Sequence, residues 1–409
     1  MKCRHCQAAL TLPMLDLGSA PPSNAYLTEA TLRAPEIWFP LRLLVCEACW
    51  LVQTEDHAGR EALFTDDYAY FSSFSSSWLA HSQAYVAAMR VRFSLSSRSL
   101  VSEVAANDGY LLQYVQQADI PCYGIEPTAS TAAAARAKGI EIVEKFFGVA
   151  LARELASQGR QVDLVAANNV LAHVPDINDF VAGFALLLKP DGVATFEFPH
   201  LMQMLQHNQF DTAYHEHYSY LSLTAVERIF AANGLAIFDV EEMGTHGGSL
   251  RVYAQRAASG RQVRSGAVAR VLQREAEAGL TCADTYTHFQ ARTNRVKDDL
   301  HAFLIKAQRE GKTVAAYGAA AKGNTLMNYA GIRGDLISFV VDRNPAKAGK
   351  YMPGSRIPIV SEARLRKARP DYVVLLPWNL RAELREQLTY VREWGGQFVT
   401  AVPALEIEA

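Results

Sequence analysis

Two CxxC pairs, Cys3-Arg-His-Cys6 and Cys46-Glu-Ala-Cys49, stand thirty-nine residues apart at the start of the chain. Each pair presents two thiolates on one side of a tight loop. Together they complete a tetrahedral S4 shell, the closed geometry of structural zinc. A closed shell leaves no position for a substrate, so the expected role is in folding. The competing reading is four free buried thiols, and His5 is a possible rival ligand. The segment between the pairs carries Pro21-Pro22-Ser23-Asn24 and only short apolar runs. It is too poor in apolar residues to fold on a core of its own. The other cysteines, Cys122 and Cys282, are isolated. Six cysteines in 409 residues are too sparse for a disulfide scaffold, and Cys122 reads as core packing.

The rest of the chain alternates strand and helix. Strands are expected over Leu100–Val104, Cys122–Ile125, Leu164–Ala167, Val193–Phe198 and Ala236–Val240, after a helix near Trp78 to Phe93. A charged helical segment, interrupted by a single glycine at Gly279, follows over Ala267–Glu310. A second alternation runs through Thr313–Tyr317, Ile337–Val341, Tyr372–Leu376 and Gln397–Ala401. The fold class is therefore α/β: a small N-terminal zinc-binding module followed by two Rossmann-like doubly wound domains. The boundaries fall at residues 1–66, 67–255 and 256–409. The stretch Ser361–Arg369 reads as a solvated helix face. A net charge of −2 gives no basic excess for nucleic acid. With a polar start no signal peptide is expected, and no apolar run suffices to span a bilayer. A cytoplasmic monomer is expected.

The first turn of the first α/β half reads Glu103-Val-Ala105-Ala-Asn107-Asp108-Gly109. Methyltransferases usually carry E-x-G-x-G-x-G there, so two glycines are missing. Small residues still let the backbone approach a cofactor. The next strand ends in Glu126-Pro127, an acid suited to both ribose hydroxyls, which NAD would also satisfy. An acidic helix start at Asp108 favours a cationic sulfonium over a pyrophosphate. Asn168 and Asn169 end the following strand, where adenine and methionine contacts are expected. Leu186-Leu-Leu-Lys-Pro-Asp-Gly resembles the strand-entering segment of methyltransferases. The cofactor is read as S-adenosylmethionine.

Tyr214-His215-Glu216-His217 is the densest ionisable cluster. It precedes a helix that Thr224 and Glu227 would start as a capping box and Gly234 would end. Histidine is suited to proton abstraction near neutrality, and a nearby carboxylate can orient it. Alternation in an extended loop would set His215 and His217 on one side and Tyr214 and Glu216 on the other. The two imidazoles could alternatively bind a metal.

These motifs together resemble the sugar C-methyltransferases that act on C-3 of dTDP-linked 4-keto-deoxysugars. The matching segments are both CxxC pairs, Leu15-Asp-Leu-Gly18 with Pro22-Ser-Asn24, Glu103 to Gly109, Tyr214 to His217, Gly247-Gly-Ser-Leu-Arg-Val-Tyr253 and Tyr317-Gly-Ala-Ala-Ala-Lys322-Gly323. The resemblance covers nearly the whole chain. It implies the three-domain order, His217 as general base with Glu216 and Tyr214 beside it, and Tyr68 and His173 as further active-site positions. Tyr70 and the serine run after it would lie over the cofactor.

The chemistry is consistent with that resemblance. A hydrogen beside a ketone is acidic enough for a positioned base, and the resulting enolate is a carbon nucleophile. Tyr214 or another donor would stabilise the oxygen where charge develops. In the C-terminal half, Gly318 to Asn324 form a small-residue turn and helix start suited to a pyrophosphate, with Lys322 as a point charge. Arg343 and Asn344 follow the next strand, where a nucleoside could be read. Trp378 and Asn379 are further wall residues. The partner is thus a nucleotide-linked keto sugar. Two rival readings are an O- or N-methyltransferase and a non-catalytic zinc-containing binding module.

Overall fold

The computed structural model describes residues 1–55, 57 and 71–408. Among them are a four-stranded, a seven-stranded and a six-stranded sheet. The seven-stranded sheet has the order Leu235–Met243, Ser249–Arg256, Leu188–Pro199, Val162–Asn168, Val101–Val104, Cys122–Ile125, Ile142–Val143. Ser249–Arg256 runs antiparallel to both neighbours, and the pairs from Leu188–Pro199 to Ile142–Val143 are parallel. Its residues face alternate cores. Val165 and Ala167 pack with Phe184 and Phe230, while Leu164 and Ala166 pack with Leu112 and Tyr253. Burial of both faces is what near-continuous apolar strands of a parallel sheet require.

The six-stranded sheet repeats the plan. Its order is Ile359–Val360, Val340–Val341, Val314–Tyr317, Tyr372–Leu375, Gln397–Thr400, Glu406–Glu408, with the last strand antiparallel. Val314 and Ala316 face Leu300 and Leu326, while Ala315 and Tyr317 face Leu365 and Leu388. Both sheets are thus doubly wound, as the alternation predicts.

The four-stranded sheet joins Leu12–Ala20, Phe39–Val45 and Val52–Thr54 to a distant strand, Ser219–Tyr220. Its apolar residues Leu43, Val45 and Val52 belong to the core of the C-terminal half. Cys3, Cys46 and Cys49 pack against the core of the other half. The N-terminal segment therefore has no core of its own.

Two local expectations are corrected. The Ala267–Glu310 segment is three helices, Gly266–Glu277, Ala283–Thr287 and Phe289–Arg309. Gly279 adopts φ +78°, a left-handed conformation that ends the first of them. The helix after the YHEH segment, Leu223–Ala232, is capped by Ser222, whose hydroxyl accepts from the Ala225 N–H. Thr224 instead donates to Glu275 at 2.6 Å, and Glu227 pairs with Arg264. The fully buried Glu275 also accepts from the Leu223 and Thr224 N–H groups. A carboxylate from another helix thus satisfies donors that a capping box would have served. Gly234 does follow the helix end, at φ +79°. The Ser361–Arg369 stretch forms the helix Glu362–Ala368, in which only Leu365 is buried. No helix among the described residues is long and apolar enough to cross a membrane.

Candidate active site

In open α/β sheets ligands bind beyond the carboxyl ends of the strands where the strand order reverses. Both large sheets bring that edge to one cavity of about 410 Å³. Ala105, Asn107, Glu126, Pro127, Asn168 and Asn169 line it from the seven-stranded sheet. Ala320, Lys322, Pro377 and Asn379 line it from the six-stranded one.

The cofactor-side turn explains the missing glycines. Ala105, Asn107 and Gly109 have φ of +60°, +48° and +76°. The backbone thus keeps the left-handed conformation at all three motif positions, although only one holds glycine. The Asn107 N–H donates to Glu126 Oε2 and the Thr128 N–H to Oε1, each at 2.9 Å. Two backbone donors fix that carboxylate at the cavity wall. Burial raises its pKa against those hydrogen bonds. Asn107 Oδ1 accepts from the Ser72 N–H at 2.9 Å, which ties the serine run to the turn. Asn168 Oδ1 and Asn169 Oδ1 have no hydrogen-bond partner. A carboxylate with unpartnered amide oxygens fits a ligand bearing hydroxyl and amino groups.

Three residues expected in this group do not line the cavity. Glu103 is wholly buried at the strand end, and burial raises its pKa strongly. The Asp108 carboxylate turns back to Lys138, 3.3 Å away, so it is neutralised locally and does not face a sulfonium. At Gly109 a Cβ would come within 2.3 Å of Ile140, so this glycine serves close packing. Tyr68 and Tyr70 lie outside the described residues.

The YHEH segment is a turn closed by a hydrogen bond from the His217 N–H to the Tyr214 carbonyl, 2.9 Å. The expected alternation does not occur, because an extended loop is replaced by this turn. Tyr214, Glu216 and His217 all line the cavity. His215 points away, its Nε2 3.3 Å from the Phe39 and Pro40 carbonyls. The Tyr214 and His217 rings are 3.9 Å apart, and His173 lies 4.6 Å from His217.

Backbone carbonyls, not a carboxylate, orient the imidazoles. His217 Nδ1 lies 2.9 Å from the Thr212 carbonyl, and His173 Nδ1 lies 2.8 Å from the Glu216 carbonyl. A carbonyl only accepts, so each Nδ1 carries the proton and each Nε2 is the basic nitrogen. Burial depresses both imidazole pKa values, that of His173 to about 4 and that of His217 well below its usual range. The neighbouring His173 and Lys322 add to the depression at His217. Both rings are therefore neutral at neutral pH. Glu216 accepts from Asn24 Nδ2 at 3.1 Å through Oε1, while Oε2 has no partner and burial raises the carboxyl pKa.

On the opposite wall, Lys322 Nζ donates to Asn379 Oδ1 at 3.1 Å and lies 4.5 Å from the Trp378 ring. Burial lowers its pKa to about 8, against the pull of Asp211. Trp378 in turn donates to Asp211 at 2.7 Å. The other expected substrate residues stand back from the cavity. Gly318 packs on Pro377, and Asn324 is buried in the helix Ala321–Tyr329. Arg343 pairs with Glu362, and Asn344 Oδ1 caps the Ala346 N–H.

Sequence reasoning missed several lining residues: Asn24, Trp78, Tyr110, His246 and Lys347. The Leu15 to Asn24 and Gly247 to Tyr253 motifs were the available signals for the first and fourth of these.

The four cysteine sulfurs lie within 4.8 Å of one another, with Cys3–Cys49 at 3.5 Å and Cys6–Cys46 at 3.4 Å. A zinc tetrahedron with Zn–S of about 2.3 Å has edges of roughly 3.8 Å, so the shell fits that ion. Gln53 donates to Cys3 Sγ at 3.3 Å, supporting the shell from outside. Among the described residues this is the only such metal-ligand cluster; the YHEH imidazoles do not form one.

Residues 3–64 match a zinc binding domain family, residues 78–240 a methyltransferase domain family, and residues 244–403 the C-methyltransferase C-terminal domain family. The C-methyltransferase NovU of Streptomyces niveus is 35% identical over 402 residues, covering 98% of this chain and 95% of that protein. Among solved structures, magnesium protoporphyrin IX methyltransferase from Synechocystis PCC 6803 with bound SAM is 19% identical, with TM-score 0.34 over 44% of this chain and 79% of the other. A S-adenosylmethionine-dependent methyltransferase from Clostridium acetobutylicum is 11% identical, with TM-score 0.35 over 42% and 90%.

Proposed function

Because this chain belongs to the C-methyltransferase family, and so is a transferase that uses S-adenosylmethionine and carries structural zinc, we propose that it methylates C-3 of a nucleotide-linked 4-keto-deoxysugar. The observation that carries this reading is the shared cavity, where Glu126 and Asn168 at one end meet His217 and Lys322 at the other. When bound, S-adenosylmethionine supplies a methyl group made electrophilic by its sulfonium.

His217 removes the proton next to the ketone. Its Nδ1–H is held by the Thr212 carbonyl, so Nε2 offers its lone pair toward the cavity. Being neutral, the ring accepts a proton without first losing one. The electron pair of the C–H bond moves into the carbon–carbon bond and onto the ketone oxygen, leaving a carbon nucleophile. Glu216 Oε2 takes a sugar hydroxyl, which orients the ring against the base. Tyr214 packs on His217 and fixes its plane. Glu126 accepts the cofactor ribose hydroxyls, and Asn168 and Asn169 take its amino groups.

Lys322 provides a cation for the pyrophosphate, with Lys347 near it on the same wall. Residues 1–66, 67–255 and 256–409 then divide the work into zinc module, cofactor domain and nucleotide-sugar domain. The proposed setting is a monomer in the cytoplasm.

The test is a panel of nucleotide-linked 4-keto sugars incubated with the chain and S-adenosylmethionine. A mass gain of one methyl on carbon is expected for at least one member. His217→Ala is expected to bind cofactor normally while turnover falls by about 10²- to 10⁴-fold. Full turnover in that variant removes His217 from the role of base.

A further inference from the structure

Three imidazoles line the cavity, and one differs from the other two. His173 and His217 each direct Nδ1 at a backbone carbonyl. His246 Nδ1 is sealed from solvent and has no hydrogen-bond partner. A buried N–H without an acceptor is rarer and costlier than an unmatched lone pair. His246 therefore keeps its lone pair at Nδ1 and its proton at Nε2. It is the opposite tautomer: where His217 offers a lone pair, His246 offers a donor.

The backbone has been bent to hold that ring in place. His246 has φ +57°, and Gly247 and Gly248 follow at +91° and +114°. A non-glycine residue in the left-handed region persists where its surroundings over-determine it, while the two glycines take positive φ at little cost. Here Thr245 donates to Glu197 at 3.0 Å, Ser249 donates to the Thr245 carbonyl at 2.9 Å, and Gln209 donates to the Gly247 carbonyl at 2.7 Å. Lys322 Nζ reaches the His246 carbonyl at 3.5 Å. A Cβ at Gly247 would come within 2.4 Å of Trp378, so that glycine cannot be exchanged without moving the wall. Trp78 meets the ring edge-on at 5.3 Å and stacks on His81, which pairs with Glu197 at 2.9 Å. The ring lines the same cavity as Trp78, Tyr110 and Lys322.

We propose that His246 is a catalytic residue that donates its Nε2–H to the substrate ketone oxygen as negative charge develops there. This rests on the carbon-alkylation reading above. The proton removed from carbon goes to His217 Nε2. The His246 proton stays on its nitrogen, and only its hydrogen bond shortens as charge grows. A neutral donor suits this task because it stabilises the oxyanion without protonating it, so nucleophilicity remains on carbon.

The experiment uses the panel member that the intact chain methylates, incubated in deuterium oxide with S-adenosylhomocysteine in place of the methyl donor. Exchange at the carbon beside the ketone reports enolisation alone. His246→Asn tolerates the left-handed backbone but withdraws the donor, and His246→Gln returns an N–H near the Nε2 position. For His246→Asn, exchange and kcat are expected to fall together by about 10²- to 10³-fold. Cofactor affinity by calorimetry should stay unchanged, and His246→Gln should recover part of the loss. Undiminished exchange in His246→Asn, in parallel with His217→Ala abolishing it, overturns the role of His246 alone. Absence of exchange in the unaltered chain overturns the enolate reading itself.

Discussion

The two large sheets face each other across the cavity with the same turn and opposite charge. After the strand ending at Val104, Ala105 takes φ +60° and its N–H bonds the Ile125 carbonyl. After the strand ending at Tyr317, Gly318 takes φ +93° and its N–H bonds the Val341 carbonyl. In both, a following backbone donor reaches an acid just past the neighbouring strand: Asn107 N–H to Glu126, and Ala319 N–H to Asp342 at 2.8 Å. The difference lies in what covers the acid. Glu126 lines the cavity, held by the Asn107 and Thr128 N–H groups and by the Thr128 and Thr131 hydroxyls. Asp342 has Lys347 at 3.7 Å and also accepts from the Asn344 N–H. One edge therefore presents a carboxylate, and the other presents Lys322 and Lys347. One turn thus carries opposite charge at the two edges, which suits the proposed pairing of ribose hydroxyls at Glu126 with an anionic nucleotide sugar at the lysines.

The N-terminal segment reaches both edges, and Asn24 adds to the cavity wall. Thr54 donates to the His217 carbonyl at 3.1 Å, Asn24 to Glu216, and Tyr26 to the Ala319 carbonyl at 2.7 Å. Metal removal is the harshest way to test whether the comparison needs this third region. Structural zinc contributes about 10–16 kcal/mol in small modules. Stripping zinc with a thiol-competing chelator should abolish turnover and raise the protease sensitivity of the first fifty residues. Cofactor binding should change by only a few-fold, because Glu126 and Asn168 belong to the seven-stranded sheet. Loss of cofactor binding in step with zinc would show that the edges are not separable.

A smaller effect tests the sign of the C-terminal edge. Lys322→Met should raise KM for the nucleotide sugar about tenfold to a hundredfold, the range for losing a hydrogen bond to a charged group. KM for S-adenosylmethionine should barely move. Burial holds the Lys322 pKa at about 8 in the free chain. The ammonium is therefore present below that value and is lost above it. KM of the unaltered chain should be flat below pH 8 and climb above it, while Lys322→Met should lack that climb. An identical climb in the variant assigns the anion to another cation, with Lys347 the next candidate.

Local pattern made much of this legible. The CxxC pairs, the strands of both sheets and the YHEH cluster follow from spacing and periodicity, which are short-range. What escaped the sequence depends on partners far along the chain. The bonds that hold the YHEH turn link positions 192 and 163 residues apart, Asn24 to Glu216 and Thr54 to His217. The tautomers of His173, His217 and His246 are set by which atom faces each Nδ1, and no residue pattern encodes that. Asp108 looked like a cofactor ligand because its sequence position is right. Lys138, thirty positions on, claims it instead. That Ala105 and Asn107 keep the backbone of the two missing glycines escaped the sequence because φ cannot be read from a letter.

Those glycine positions supply the finest test of the comparison. An L-residue in the left-handed region costs roughly 1–2 kcal/mol where glycine costs little. Gly318 avoids that cost, and a Cβ there would also meet Pro377 at 2.4 Å. Ala105 bears the cost. Ala105→Gly should relieve that strain, offset in part by the ~0.5–1 kcal/mol of extra freedom glycine gives the unfolded chain. A net gain in stability of about 0.5 kcal/mol is expected by denaturant unfolding, with cofactor affinity unchanged. If the variant is instead less stable, the Ala105 methyl contributes packing against the cavity that outweighs its backbone strain. The alanine would then be a fitted element of the cofactor edge, and the two turns would share hydrogen bonds without sharing the reason for their first residue.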